Sequence, residues 1–157
     1  LQRRGPWTAD DHDPGATRKG ERGAMKALSE QAVEQAAAVL VVEDEPLIRA
    51  MAAEFFMEAG YHVLEACDAA AALSILEGRD DIGAVFTDIE MPGDMNGLAL
   101  AATIRGRWPA IAVLITSGRA RPGASVLPLG ADFIPKPYLP TDMIAKIAAL
   151  MVSGRLE

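Results

Sequence analysis

From Val39 onward the chain alternates between two hydrophobic periods, and this alternation limits the fold more than any other feature. Val39-Leu40-Val41-Val42 is a short, β-branched, continuously apolar run that ends in Glu43-Asp44-Glu45-Pro46. A strand that is apolar on both faces belongs in a sheet covered on both sides. Pro46 suits the first turn of a helix, where a missing N–H costs nothing. Leu47, Ile48, Met51, Ala52, Phe55 and Ala59 then recur at helical spacing, and Gly60 closes the segment.

The unit repeats. Residues 61–66 read as a second strand and 69–76 as a short helix ending before Gly78. Residues 82–87 form a third strand entering Asp88, and Leu98, Ala101, Ala102, Ile104 and Arg105 line a helix that stops before Pro109. Residues 111–115 lead into Thr116-Ser117-Gly118. Pro122 and Pro128 confine the next helix to roughly two turns. Residues 131–134 are a fifth strand, followed by Pro135-Lys136-Pro137, and Met143, Ile144, Ile147, Leu150 and Met151 make the last stripe. Five strands alternating with five helices predict an α/β fold with a doubly wound parallel sheet and right-handed crossovers. Such a sheet binds ligands at the carboxyl ends of its strands.

The flanks differ. Residues 1–37 read as a flexible extension: 1–23 are rich in Gly, Pro, Asp and Arg without periodicity, whereas 24–37 are alanine-rich enough for a weak helix. Residues 38–152 would be the folded domain and 153–157 a short tail. Residues 1–30 carry six basic and five acidic side chains, and the rest carry nine basic and seventeen acidic, net −8. So acidic a domain is repelled by nucleic acid and anionic lipid, so neither direct nucleic-acid binding nor membrane insertion is expected. No apolar run approaches the roughly 20 residues of a membrane span, and no signal peptide is read at the start. Cys67 stands alone, which rules out an internal disulfide and permits a cytoplasmic location. Leu1 is not an initiator methionine, so a fragment of a longer chain remains an alternative.

The unusual residues cluster at strand exits: Glu43 and Asp44 after the first, Asp88 after the third, Thr116 and Ser117 after the fourth, Lys136 after the fifth. Singly each has an ordinary reading. Asp44 could cap the helix opened by Glu45-Pro46, and Lys136 could be a solvated surface lysine. In a parallel sheet, however, these ends converge on one cleft. Three carboxylates there repel unless a cation offsets them. All-oxygen ligation suits Mg²⁺ or Mn²⁺. Metal, Lys136 and the Thr116 hydroxyl could surround a phosphoryl group, and a carboxylate is a competent nucleophile for its transfer. The residues alone leave both a phospho-acceptor and a phosphate-binding site open.

The segments Val39-Leu40-Val41-Val42-Glu43-Asp44-Glu45-Pro46, Thr87-Asp88-Ile89-Glu90-Met91-Pro92-Gly93, Leu114-Ile115-Thr116-Ser117-Gly118 and Pro135-Lys136-Pro137-Tyr138, with Asn96-Gly97, resemble the signature of response-regulator receiver domains in order and spacing. The resemblance covers roughly residues 38–152 and implies a (βα)5 flavodoxin-like fold with strand order 2-1-3-4-5. It implies Asp88 as phospho-acceptor, and Mg²⁺ held by Glu43, Asp44, the Asp88 carboxylate and the Glu90 backbone carbonyl. Lys136 and Thr116 would contact the phosphoryl group, with Ser117 a small residue leaving access. Thr116 and Phe133 would form the switch, and Pro137 would shape the loop that aims Lys136. Glu43 stands where Asp is common in the family.

The resemblance further implies a cytoplasmic signalling protein of a two-component phosphorelay, with self-phosphorylation and self-dephosphorylation but no separate substrate turnover. Its partners would be a sensor histidine kinase or histidine phosphotransfer protein and an unidentified downstream protein target, with a homodimer as a further option. Few residues follow the last helix, so a single-domain regulator acting through protein–protein contact is expected. The alternatives are a phosphorylation-independent binding module of the same fold and a flavodoxin-like cofactor binder or small hydrolase. No convincing flavin-phosphate cradle or acid–base histidine supports the last.

Overall fold

A computed structural model describes residues 37–123 and 125–155. The alanine-rich stretch 24–36, where a helix is expected, lies outside them. Five strands form one parallel sheet in the order β2-β1-β3-β4-β5, the doubly wound order expected. The strands are β1 (Ala38–Val42), β2 (His62–Ala66), β3 (Ile82–Asp88), β4 (Ala112–Ser117) and β5 (Ala131–Pro135). Four helices occur among the described residues: α1 (Pro46–Glu58), α2 (Ala69–Gly78), α3 (Gly97–Arg107) and α4 (Pro140–Arg155).

The sheet divides the core in two. Leu40, Val42, Val85, Val113 and Ile115 face one side with Leu76, Leu100 and Ile104. Val39, Val41, Ala84, Phe86 and Leu114 face the other with Phe56, Met143 and Ile147. Every residue of β1 and β4 is buried, which is why those strands carry unbroken apolar runs instead of an alternation.

Helix α1 corrects one expectation. Ala52, Ala53 and Phe56 are its buried residues, while Leu47 and Met51 are exposed. Apolar side chains occur almost all round this helix, so periodicity alone fits several faces. Its N-terminal boundary also departs from expectation: Glu45 occupies the cap position without a side-chain cap bond, and Asp44 does not cap. At its other end Gly60 takes φ +97°, a conformation that favours glycine, and turns the chain toward β2.

The second correction concerns the connection between β4 and β5. The two-turn helix expected between Pro122 and Pro128 is not formed by the described residues, which make turns and irregular backbone. Two prolines remove backbone donors, and Gly123 between them weakens helix formation further. The segment is held by outside groups instead. Arg105 of α3 donates through Nε to the Leu129 carbonyl at 2.8 Å, and through Nη1 it also ties down the turn before β4, at the carbonyls of Pro109 at 2.8 Å and Ile111 at 2.9 Å. No helix among the described residues is long and apolar enough to cross a membrane.

Candidate functional site

Neighbouring strand ends bring the expected residues together. Asp88 ends β3 and pairs in register with Thr116 on β4, which pairs in turn with Ile134 on β5. The Lys136 amide donates to the Ser117 carbonyl at 3.0 Å, continuing the ladder past β5. Lys136 then precedes Pro137 across a cis peptide bond. Its Nζ lies 3.1 Å from both Glu43 Oε2 and Asp88 Oδ2. The surface-lysine reading of Lys136 is therefore replaced by one cation shared between two buried carboxylates.

Glu43 is anchored from both sides. Its Oε1 accepts from the Glu45 amide at 3.2 Å, and its carbonyl accepts from Arg49 Nη1 at 2.9 Å. Carboxylate oxygens of Glu43, Asp44 and Asp88 lie within 4.8 Å of one another. Glu43 and Asp88 are buried and Asp44 is exposed, so the cluster opens to solvent through Asp44. Asp88 Oδ1 is buried without a hydrogen-bond partner, an arrangement that is costly unless something charged completes it. This all-oxygen set can hold a divalent cation and fits a hard one best.

Burial dominates the electrostatics. It pushes the Glu43 carboxyl up to about 7, with Lys136 opposing the rise and the Asp88 charge adding to it. Burial likewise raises Asp88 above the usual carboxylate range, against the Lys136 hydrogen bond and with the neighbouring Glu90 carboxyl contributing. Burial would lower Lys136, but its bonds to Glu43 and Asp88 outweigh this and raise it. Two crowded carboxylates sharing one ammonium make a site short of positive charge.

The two hydroxyls are already engaged. Thr116 Oγ1 donates to the Ile134 carbonyl at 2.7 Å. Ser117 Oγ donates to Glu90 Oε1 at 2.5 Å and accepts from the amides of Arg119 at 3.1 Å and Ala120 at 2.8 Å. Sequence reasoning assigned Glu90 only a backbone carbonyl, and nothing in its position showed that its side chain would reach Ser117. Phe133 is half-buried against the β1–β3–β4 face opposite Phe86. Tyr138 instead stacks edge-on against Phe86, ring centroids 5.5 Å apart, and Phe86 against Phe56 at 5.7 Å. The loop carrying Lys136 thereby rests on an aromatic row beneath the site.

Gly97 is a further residue whose role only the fold reveals. A Cβ there would run into the Asp88 carbonyl and the Ile89 backbone. Its amide donates to the Ile89 carbonyl at 2.9 Å, so α3 starts directly against the end of β3.

Residues 39–148 match the family model for the response regulator receiver domain. The chain is 36% identical over 116 residues to the aerobic respiration control protein ArcA of Escherichia coli, covering 72% of this chain and 48% of that protein. It is 31% identical over 115 residues to Protein PetR of Rhodobacter capsulatus, again covering 72% and 48%. The chain thus spans about half the length of the curated relatives it matches. Among solved structures, the receiver domain of NtrX from Brucella abortus superposes with a TM-score of 0.66 at 32% identity, covering 72% of this chain and 97% of that one.

Proposed function

Because this chain belongs to the response regulator receiver domain family, we propose that it takes a phosphoryl group on Asp88 and signals through contact with another protein. The observation that carries this reading is the Asp88 carboxylate itself. It is buried, one oxygen is bound to Lys136, and the other has no hydrogen-bond partner beside an acidic cluster suited to a cation. The donor is the phosphohistidine of a sensor histidine kinase or a histidine phosphotransfer protein. An apolar groove of about 410 Å³ lined by Ile48, Met51, Phe55 and Tyr138 runs up to Lys136 and supports a docked protein donor.

Mg²⁺ is the cation we assign, with Mn²⁺ as a substitute, held by Glu43, Asp44, Asp88 and the Glu90 carbonyl. When bound it supplies positive charge to the transferring oxygens. The chain's own residues do the rest. Asp88 attacks in line, its Oδ–P bond forming as the donor's P–N bond breaks and the departing nitrogen takes a proton. Lys136 moves its ammonium from the carboxylate to the phosphoryl oxygens. Thr116 exchanges its Ile134 acceptor for a phosphoryl oxygen, and Phe133 follows the loop. Pro137 shapes the bend beyond Lys136. The reading includes self-dephosphorylation and no separate substrate turnover.

Asp88→Asn should abolish Mg²⁺-dependent, acid-labile labelling by phosphoramidate or a cognate kinase, read as loss of the phosphoryl mass increment. Equal labelling of variant and parent would sink the acceptor assignment. The phosphorylation-independent alternative, a binding module of the same fold, would show no labelling in the parent either.

A further inference from the structure

Arg49 is a cation in a place that general electrostatics disfavours. It stands in the opening turn of α1, where the helix dipole already presents positive charge, and no acidic residue shares that turn. Two neighbours account for it. Its Nη1 donates to the Glu43 carbonyl at 2.9 Å, and its Nε lies 3.3 Å from Glu65 Oε1. Glu65 on β2 is in register with Val41 on β1. Paired residues of a sheet project to the same face, and the Val41 face is the one that packs against Phe56 of α1. The edge strand thus delivers a carboxylate to the helix. Taken alone, Arg49–Glu65 is a half-exposed ion pair of little worth to stability. The bond from Arg49 to Glu43 gives it a further consequence.

The Glu43 carbonyl and the Asp44 amide share one rigid peptide plane. Holding that carbonyl therefore sets the Asp44 Cα and the direction in which the exposed Asp44 carboxylate leaves the chain. On one side of this peptide the Glu43 amide is fixed to β2 through the Ala66 carbonyl at 3.1 Å. On the other, the Arg49 amide donates to the Glu45 carbonyl at 2.9 Å as α1 begins, with no side-chain cap bond at Glu45. The Arg49 side chain reaches back to hold the peptide between these two anchors.

Resting on the cation assignment above, we propose that Arg49 and Glu65 form a brace behind the cation site. Arg49 fixes the peptide that aims Asp44 at the cluster with Glu43 and Asp88, and Glu65 orients the guanidinium and offsets its charge. Both are positioning residues, acting through the β1 exit. The brace predicts a sign. A guanidinium that acted only through its charge would repel Mg²⁺, so its removal would tighten binding. Removing a brace loosens a carboxylate and weakens binding, and groups that orient metal ligands are worth about tenfold or more in affinity.

Calorimetric titration of the full chain with Mg²⁺ tests this, with thermal unfolding run beside it to show that each protein titrated is folded. Arg49→Ala should bind Mg²⁺ about tenfold more weakly than the parent. Arg49→Lys keeps the charge but lacks the planar fork that spans two acceptors, so its binding should weaken nearly as much. Glu65→Gln should weaken binding by about two- to fivefold, the range for a half-exposed pair. Parent-like or tighter binding by folded Arg49→Ala overturns the brace, and a loss of stability without a change in affinity marks a merely structural arginine. Parent-like binding by Arg49→Lys also overturns it, and this variant decides the matter where the alanine variant does not fold. Parent-like binding by Glu65→Gln overturns Glu65's part. A parent that binds no Mg²⁺ overturns the cation assignment and the brace with it, whereas a parent that binds while both Arg49 variants match it overturns the brace alone.

Discussion

Two connections leave the site edge of the sheet side by side, residues 89–96 after β3 and residues 118–130 after β4. The first leads into a helix that begins with its own cap: the Asn96 side chain accepts from the Ala99 amide at 2.9 Å, and Gly97 fits where no Cβ could. The second makes no helix among the described residues and borrows side chains from elsewhere, Ser117 at one end and Arg105 at the other. Backbone polar groups must find partners in either case. Where the local sequence supplies a cap, the helix meets this need. Where prolines withhold donors, distant side chains do, and the segment's position becomes sensitive to those side chains.

The sharpest way to break this contrast is Gly97→Ala. The obstructing atoms are the backbone of Asp88 and Ile89 and cannot swing aside, so a loss of about 3 kcal/mol is expected by overpacking, read by urea unfolding. Parent-like stability would show that α3 can shift away from β3 without cost. Next comes Arg105→Ala, which removes three bonds to carbonyls. The guanidinium is half-buried, and a loss of about 2 kcal/mol with faster exchange confined to 109–111 and 118–130 is expected. Uniform destabilisation across the domain would mean that Arg105 is not a local staple.

The smallest effect belongs to the acidic exit of β1, which lies in neither connection. With Glu43 pushed up to about 7, cation binding must displace a proton below that pH. Asp88 is raised as well, so apparent Mg²⁺ affinity should rise with pH below about 7, and Glu43→Gln should make that rise shallower. The sign for metal-free stability is opposite. The folded value exceeds the ordinary 4.5, so Glu43's contribution is full below about 4.5 and is lost as pH rises through about 7. Isothermal titration and thermal unfolding across this range read both, and an affinity independent of pH would remove Glu43 from the cation's shell.

Much of the site is legible in sequence because it lies at breaks in strong patterns. An acidic pair after an all-apolar run, an aspartate ending another, and a lysine framed by prolines are each conspicuous, and the parallel fold that the runs imply brings them together. Other features carry no such signal. Gly97 stands in the family-like stretch, but the reason it must be glycine comes from the Asp88 carbonyl above it. Arg105 resembles a helix-face cation, and only the path of 118–130 makes it a staple. The buried face of α1 was unreadable because that helix is apolar nearly all round.

By itself the sequence determined the alternation of strands and helices, the burial of the central strands and the acidic, oxygen-only character of the strand exits, since these depend on periodicity and composition. Tertiary structure alone decided which groups share a proton, a charge or a hydrogen bond. It put one lysine between Glu43 and Asp88, tied Glu90 to Ser117, and left 118–130 without a helix among the described residues. Those outcomes depend on distances of about 3 Å between residues far apart in the chain, and hydrogen bonds and charge effects weaken steeply beyond such contact.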